Sequence, residues 1–166
     1  MKNKERAFSE MINDNQGLII KVSRLYTNNS EDEEDLFQEI VLQLWKSYDS
    51  FKGDSKVSTW MYRVALNTAI TVFRKRKKRI ATDEIQPFHE KGINYEQKTE
   101  KEEQIAILYK VIKKLPKIER AIVMLYLDDL PYKEIAATLG ISSVNARVKM
   151  NRLKKKLKVL MKEEYV

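Results

Sequence analysis

The stretch Leu130–Leu157, LPYKEIAATLGISSVNARVKMNRLKKKL, decides the fold of this chain. It reads as two short helices joined by a tight turn. Pro131 suits the opening of the first helix, where a missing N–H forfeits only an unpaired donor. Ile135, Ala136 and Leu139 give that helix an apolar face, and Gly140 stands where a terminal glycine takes positive φ and reverses the chain. Ser142 or Ser143 can cap the second helix by accepting an early backbone N–H. On that helix Ala146, Met150, Leu153, Leu157 and Leu160 recur in steps of four, three, four and three, one continuous stripe. At 100° per residue the far side carries Val144, Val148, Asn151, Arg152 and Lys155, flanked by Asn145 and Arg147. Between Arg147 and Lys158 stand seven basic residues and no acid. A helix seated on one side, basic on the other and entered through a glycine turn is what a helix-turn-helix lays in the major groove. An antiparallel helical hairpin with a solvated lysine face is the plainer alternative.

The whole chain has 166 residues, enough for one ordinary domain or two small ones. Charged residues make up 34% and the net charge is +8, a balance suited to nucleic acid or another acidic partner. The absence of cysteine excludes a disulfide framework and a thiolate metal site. No apolar run approaches the ~18 residues a membrane helix needs, and the N-terminus lacks a signal-peptide core. A cytoplasmic protein without membrane insertion is expected. Four glycines, three prolines and almost no alternating segments predict an all-α fold.

The charges are segregated: EDEED at 31–35, RKRKKR at 74–79, and seven acids against three lysines over Asp83–Glu103. Helices are predicted over Arg6–Asn15 and Leu18–Tyr26, with Gly17 as a bend and Phe8, Met11, Ile12, Ile19, Val22, Leu25 and Tyr26 as core. Over Ser30–Tyr48, Ser30 and Glu33 have the spacing of a capping box. Leu36, Phe37, Ile40, Val41, Leu44, Trp45 and Tyr48 form a wide apolar face there. The opposite row is Asp32, Asp35, Glu39 and Gln43, with Gln38 beside it: a solvated acidic face, or a surface that docks on a basic partner. Phe51–Lys56 is a turn, and Ser55 or Ser58 can cap the helix that follows, Val57–Arg79. Trp60, Met61, Val64, Ala65 and Val72 share one face of it; Tyr62, Arg63, Asn67 and Thr71 lie elsewhere, ahead of six consecutive cations. Aromatics and amides upstream of a basic run suit single-stranded DNA, where bases stack on rings and cations track phosphates. For Trp60 itself a core position is the favoured reading.

Residues 81–104 read as an acidic linker between a first domain at 1–80 and a second at 105–166. Its His89 has no cysteine or second histidine nearby, so neither a metal site nor a catalytic dyad is expected, and no cofactor. In the second domain Ile105, Leu108, Tyr109, Ile112 and Leu115 resume helical spacing before Pro116. Ala121, Ile122, Met124, Leu125 and Leu127 pack the next helix, and Asp128-Asp129 turns into the helix-turn-helix.

Three blocks, DEEDLFQEIVLQLW, FKGDSKVSTWMYRVALNTAITVFRKRKKR and LPKIERAIVMLYLDDLPYKEIAATLGIS, resemble in order and spacing the extracytoplasmic-function (ECF) family of bacterial RNA polymerase sigma factors. The resemblance implies two helical domains, of the region 2 and region 4 types, and an initiation factor rather than an enzyme. It implies that Asp35, Gln38 and Glu39 dock on the β′ clamp helices of core RNA polymerase, and that the second domain meets the β flap. Phe51, Tyr62, Arg63 and Asn67 would line the melted −10 strand, with Lys75, Arg76, Lys78 and Arg79 on its phosphates. Ser143, Arg147, Val148, Asn151, Arg152 and Lys155 would meet the −35 duplex, and members of the family often have an anti-sigma partner. The family's recognition helix usually starts with an acid-glycine-threonine-valine type of sequence, whereas this one reads Ser143-Val144-Asn145-Ala146. A stand-alone helix-turn-helix regulator of duplex DNA is the alternative, but it leaves the Trp60–Arg79 segment without a use.

Overall fold

The computed structural model describes residues 1–73, 75 and 99–166, which divide into two compact units, one on each side of residue 85. Regular structure among these residues is entirely helical. The assignments made for Arg76, Lys78, Arg79 and the linker as far as Lys98 lie outside the described residues.

The first unit is built from α1 (Lys2–Asp14), α2 (Gln16–Leu25), α3 (Ser30–Ser47) and α4 (Val57–Asn67). The break between α1 and α2 falls at Asn15, φ −122° and ψ 20°, two residues before Gly17, which is helical. The Asn15 amide Nδ2 donates to the Met11 carbonyl at 2.9 Å and so satisfies an end-of-helix acceptor. Ile19, Val22 and Leu25 of α2, Leu36, Ile40 and Leu44 of α3, and Met61, Ala65 and Leu66 of α4 make a closed core. Two hydroxyls inside it are satisfied locally: Ser23 donates to the Ile19 carbonyl at 2.8 Å and Thr27 to that of Ser23 at 2.6 Å. Phe8 fastens α1 to this core by edge-on contacts with Trp45 and Tyr48, at centroid distances of 4.9 and 5.3 Å.

Two caps differ from expectation. Asn29, not Ser30, caps α3, its side-chain oxygen accepting from the Asp32 N–H at 2.8 Å. An amide one residue earlier meets the same free donors, and the acids of the first turn then favour the helix dipole. Neither Ser55 nor Ser58 caps α4, which starts from Lys56 without a side-chain acceptor. Beyond Asn67 the helix widens into a π turn over Thr68–Val72, closed by the Phe73 N–H on the Thr68 carbonyl.

The second unit comprises α5 (Glu100–Ile112), α6 (Lys117–Leu127), α7 (Tyr132–Leu139) and α8 (Ser143–Glu164). Helix α5 starts five residues before the apolar period resumes. Thr99 and Glu102 form a capping box, Thr99 N–H to Glu102 Oε2 at 3.0 Å and Glu102 N–H to Thr99 Oγ1 at 3.3 Å. Glu100, Glu102 and Glu103, counted in the acidic linker, are thus helix-start residues. Burial is concentrated at the C-terminal end of α5: Val111, Ile112 and, just past the helix, Leu115 are buried, whereas Ile105 is 45% exposed. The carbonyls ending α5 are met by Arg120, whose Nε and Nη2 donate to Leu115 and Lys113 at 2.8 and 2.6 Å. Helix α6 buries Ala121–Leu125 and leaves Leu127 exposed. It ends in a Schellman turn, Leu130 N–H to the Leu125 carbonyl and Asp129 N–H to that of Tyr126, with Asp129 at φ +60°.

Gly140 occupies the left-handed region, φ 69° and ψ 34°, and both its N–H and that of Ile141 reach the Ala136 carbonyl. A Cβ at this position would meet nothing within 4 Å, so the constraint is backbone conformation alone. Gly140→Ala should therefore cost about 1–2 kcal/mol, the left-handed penalty of an L residue. Urea unfolding followed by circular dichroism should show this loss in the second unit. Tryptophan fluorescence, which reports only Trp45 and Trp60 in the first unit, should be unchanged.

Candidate nucleic-acid interface

Helix α8 is two-sided. Ala146, Met150 and Leu153 are buried against the helices of its unit, while Leu157 and Leu160 are half-buried. Ser142 provides the cap, its hydroxyl accepting from the Asn145 N–H at 3.1 Å, and Ser143 becomes the first helical residue. Opposite the seat, Ser143, Val144, Asn145, Arg147, Val148, Asn151, Arg152 and Lys155 are all exposed. The six residues expected at a −35 duplex thus lie on one surface, and Val144 with Asn145 belongs to it as well.

A feature that apolar periodicity does not reveal stands beside this surface. Tyr126 of α6 and Tyr132 of α7 stack at 6.1 Å, and each carries a cation from α8. The Arg147 guanidinium lies 5.4 Å from the Tyr132 centroid, and Lys154 Nζ lies 4.6 Å from that of Tyr126. The Tyr126 hydroxyl beside it raises the pKa of the Lys154 ammonium above its ordinary value. Arg147 and Lys154 are seven residues apart, two helical turns, and the stacked rings fix both on one flank of α8. The far end of α8 is anchored by Glu164, which accepts from Lys110 at 2.8 Å and from Lys114 at 2.6 Å.

On α3, Asp35 and Gln38 are exposed, whereas Glu39 is half-buried and accepts from Gln43 Nε2 at 3.0 Å. Glu33, an acid of the same helix outside that row, pairs with Arg24 of α2 at 3.0 Å. Gln38 also borders an open, mainly apolar groove of about 520 Å³ between α1 and α3, lined by Phe8, Ile12, Val41, Leu42 and Trp45.

On α4, Arg63 and Asn67 are exposed one turn apart, and Lys75 is exposed beyond them. Tyr62 differs from expectation: it is 4% exposed and belongs to the core, because it neighbours Met61 on the inward side of the helix. A ring in that position offers no face to a base. Trp60, 9% exposed, is also core, and Phe51 stacks on it at 4.8 Å with planes 30° apart. The turn over Phe51–Lys56 is thereby tied to the helix it precedes, with Gly53 in the left-handed region at φ 78°.

Residues 11–79 match the family model for sigma-70 region 2, and residues 105–157 that for sigma-70 region 4. The chain is 28% identical over 160 residues to the ECF RNA polymerase sigma-E factor of Escherichia coli strain K12, covering 89% of this chain and 83% of that protein. This chain belongs to the ECF family of RNA polymerase sigma factors. A shorter match, 43% identical over 53 residues, joins the sigma factor to the ECF sigma factor SigG of Mycobacterium tuberculosis, over 32% of this chain and 14% of that one. Two solved structures share its fold. The sigma factor RpoE of Bartonella quintana, determined with the anti-sigma factor NepR, has a TM-score of 0.68 at 18% identity, covering 98% of both chains. CnrH, determined with the cytosolic domain of CnrY, has a TM-score of 0.68 at 20% identity, covering 96% of this chain and 90% of that one.

The two lysines on Glu164 of the sigma factor pull its carboxyl down to about 2, by hydrogen bonding first and charge second. The folded value lies below the unfolded one, so the anchor stabilises fully above the usual carboxylate range and is lost as pH falls through about 2. Glu164→Gln should lower the melting temperature of the second unit at neutral pH. The gap to the unsubstituted protein should close as the pH is lowered from 4.5 toward 2.

Proposed function

We propose that this sigma factor binds core RNA polymerase through α3 and places α8 in the major groove of a −35 element and α4 against a melted −10 strand. The observation that carries this reading is the separation of surfaces. An exposed Asp35–Gln38 edge on α3, an exposed Arg63–Asn67 edge on α4 with Lys75 exposed further along the chain, and a cationic face on α8 stand apart from the buried faces of these helices. A duplex-binding regulator uses only the last of these. In this assignment Phe51 meets a base at the start of the strand, its ring backed by Trp60. Tyr62 contributes packing. Arg76, Lys78 and Arg79, outside the described residues, are assigned to phosphates together with Lys75 by the family resemblance.

On α8, Arg147, Val148 and Asn151 reach base edges, and Ser143, Arg152 and Lys155 position the backbone. The second unit meets the β flap. Bond making and breaking belong to the polymerase, so the chain is not an enzyme; it works in the cytoplasm and needs no cofactor. Because RpoE and CnrH were determined with the proteins NepR and CnrY, we extend the same kind of control to this chain: capture by an anti-sigma protein.

Two sets of substitutions test the assignment. Asp35→Lys adds like-charge repulsion to a lost attraction and should abolish capture of core polymerase while circular dichroism is unchanged. Full binding by that variant would remove α3 from the interface. Arg152→Ala should weaken binding of holoenzyme to all −35 sequences about equally and lower the salt dependence. Asn151→Ala should relax preference at a single base pair, by about 1–3 kcal/mol. Identical losses for both variants on every sequence would mean the reading face is misassigned.

A further inference from the structure

Val144 and Val148 are 73% and 42% exposed, one turn apart on the side of α8 that faces away from its unit. Exposed apolar residues scattered singly are ordinary, and Ile105, Ile118 and Leu127 are of that kind. These two are different in place and in company. They sit side by side, flanked by Asn145, Arg147, Asn151 and Arg152, all exposed, on the basic face of the helix. Helix stability does not account for them, since a β-branched residue on an exposed helical face is a poorer helix former than alanine or lysine. Packing does not account for them either, because the seat of α8 is made by Ala146, Met150 and Leu153 on the other side.

In the major groove one base presents an apolar group, the C5-methyl of thymine. Side chains four residues apart on a helix stand about 6 Å from each other, close to two base-pair steps of duplex DNA. We propose that Val144 and Val148 form a methyl-reading pair that selects thymines at two −35 positions no more than two steps apart, on either strand. This rests on the reading of α8 as the −35 helix and adds Val144 to it as a specificity residue. The pair makes no hydrogen bond, so its discrimination comes from burying methyl against methyl, while Arg147 and Asn151 supply the polar reading beside it. Val159 lies on the same face but eleven residues past Val148, about 16 Å along the axis, and is outside the pair.

The test uses holoenzyme reconstituted with core polymerase. Promoter fragments with a randomised −35 region are selected for binding, and each thymine of the recovered sequence is replaced singly by deoxyuridine. That change removes the methyl and keeps every hydrogen-bonding group. Two replacements, at most two steps apart, should weaken binding about three- to fourfold each, the worth of one buried methyl. Val144→Ala should abolish the penalty at one of these positions and Val148→Ala at the other, whereas Val159→Ala should leave both. All three are surface changes to a better helix former, so folding is preserved. Sequence-selective −35 binding in which no deoxyuridine matters by twofold would overturn the proposal and leave the reading of α8 standing. Penalties that persist in both valine variants would also overturn it, by assigning the methyl to another group. Recovery of no preferred −35 sequence would remove the reading of α8 and the proposal together.

Discussion

A helix that reads DNA has to be held firmly on one side and left bare on the other. In this chain the hold on α8 comes from Ala146, Met150 and Leu153, all buried, and from the reversal at Gly140 that brings α7 across it. The alanine matters as much as the larger groups, because it is fully buried and its small side chain allows close approach of the helices near the N-terminal end of α8. With the seat fixed, the opposite side of α8 is left exposed, with Arg147 on that side lying over the Tyr132 ring. The paired tyrosines extend the same arrangement: Tyr126 and Tyr132 are partly core and partly a platform that fixes Lys154 and Arg147. Glu164 completes it by tying the far end of α8 to α5.

The first unit solves a related problem with different parts. Helix α3 has one apolar and one acidic face, and α4 has an apolar face with Arg63 and Asn67 outside it. Stacking of Phe51 on the buried Trp60 carries the order of the core into the preceding turn. A turn ordered in advance in this way loses less freedom when a ligand binds it. The π turn at Thr68–Val72 lies next in the chain; Thr68 and Thr71 donate to the Val64 and Asn67 carbonyls at 2.7 and 2.5 Å, local bonds that accompany the widening.

Much of this was legible in the sequence. Periodicity located every described helix, and the pattern at Leu130–Leu157 gave the turn, the seat and the exposed face of α8. What it missed has physical reasons. Position on a helical wheel separated Tyr62 from Trp60 and Met61, but α4 is enclosed on more than one side, so a residue at the edge of its stripe is buried too. Composition merged Glu100, Glu102 and Glu103 with the linker, because acids mark helix N-termini as well as solvated tethers. The shift from Ser30 to Asn29 reflects two adjacent residues of nearly equal capping strength. The tyrosine platform joins residues on three helices, which no spacing along one helix can show.

The central claim is that both DNA-facing surfaces act together on a promoter opened by the polymerase. Its most direct measurement is permanganate reactivity of unpaired thymines on genomic promoter fragments incubated with core polymerase, with and without this chain. The account predicts reactive thymines confined to a −10 region, at a fixed distance from a protected −35 segment, and only when both components are present. Protection of duplex DNA by the chain alone, with no core-dependent melting on any fragment, would contradict it.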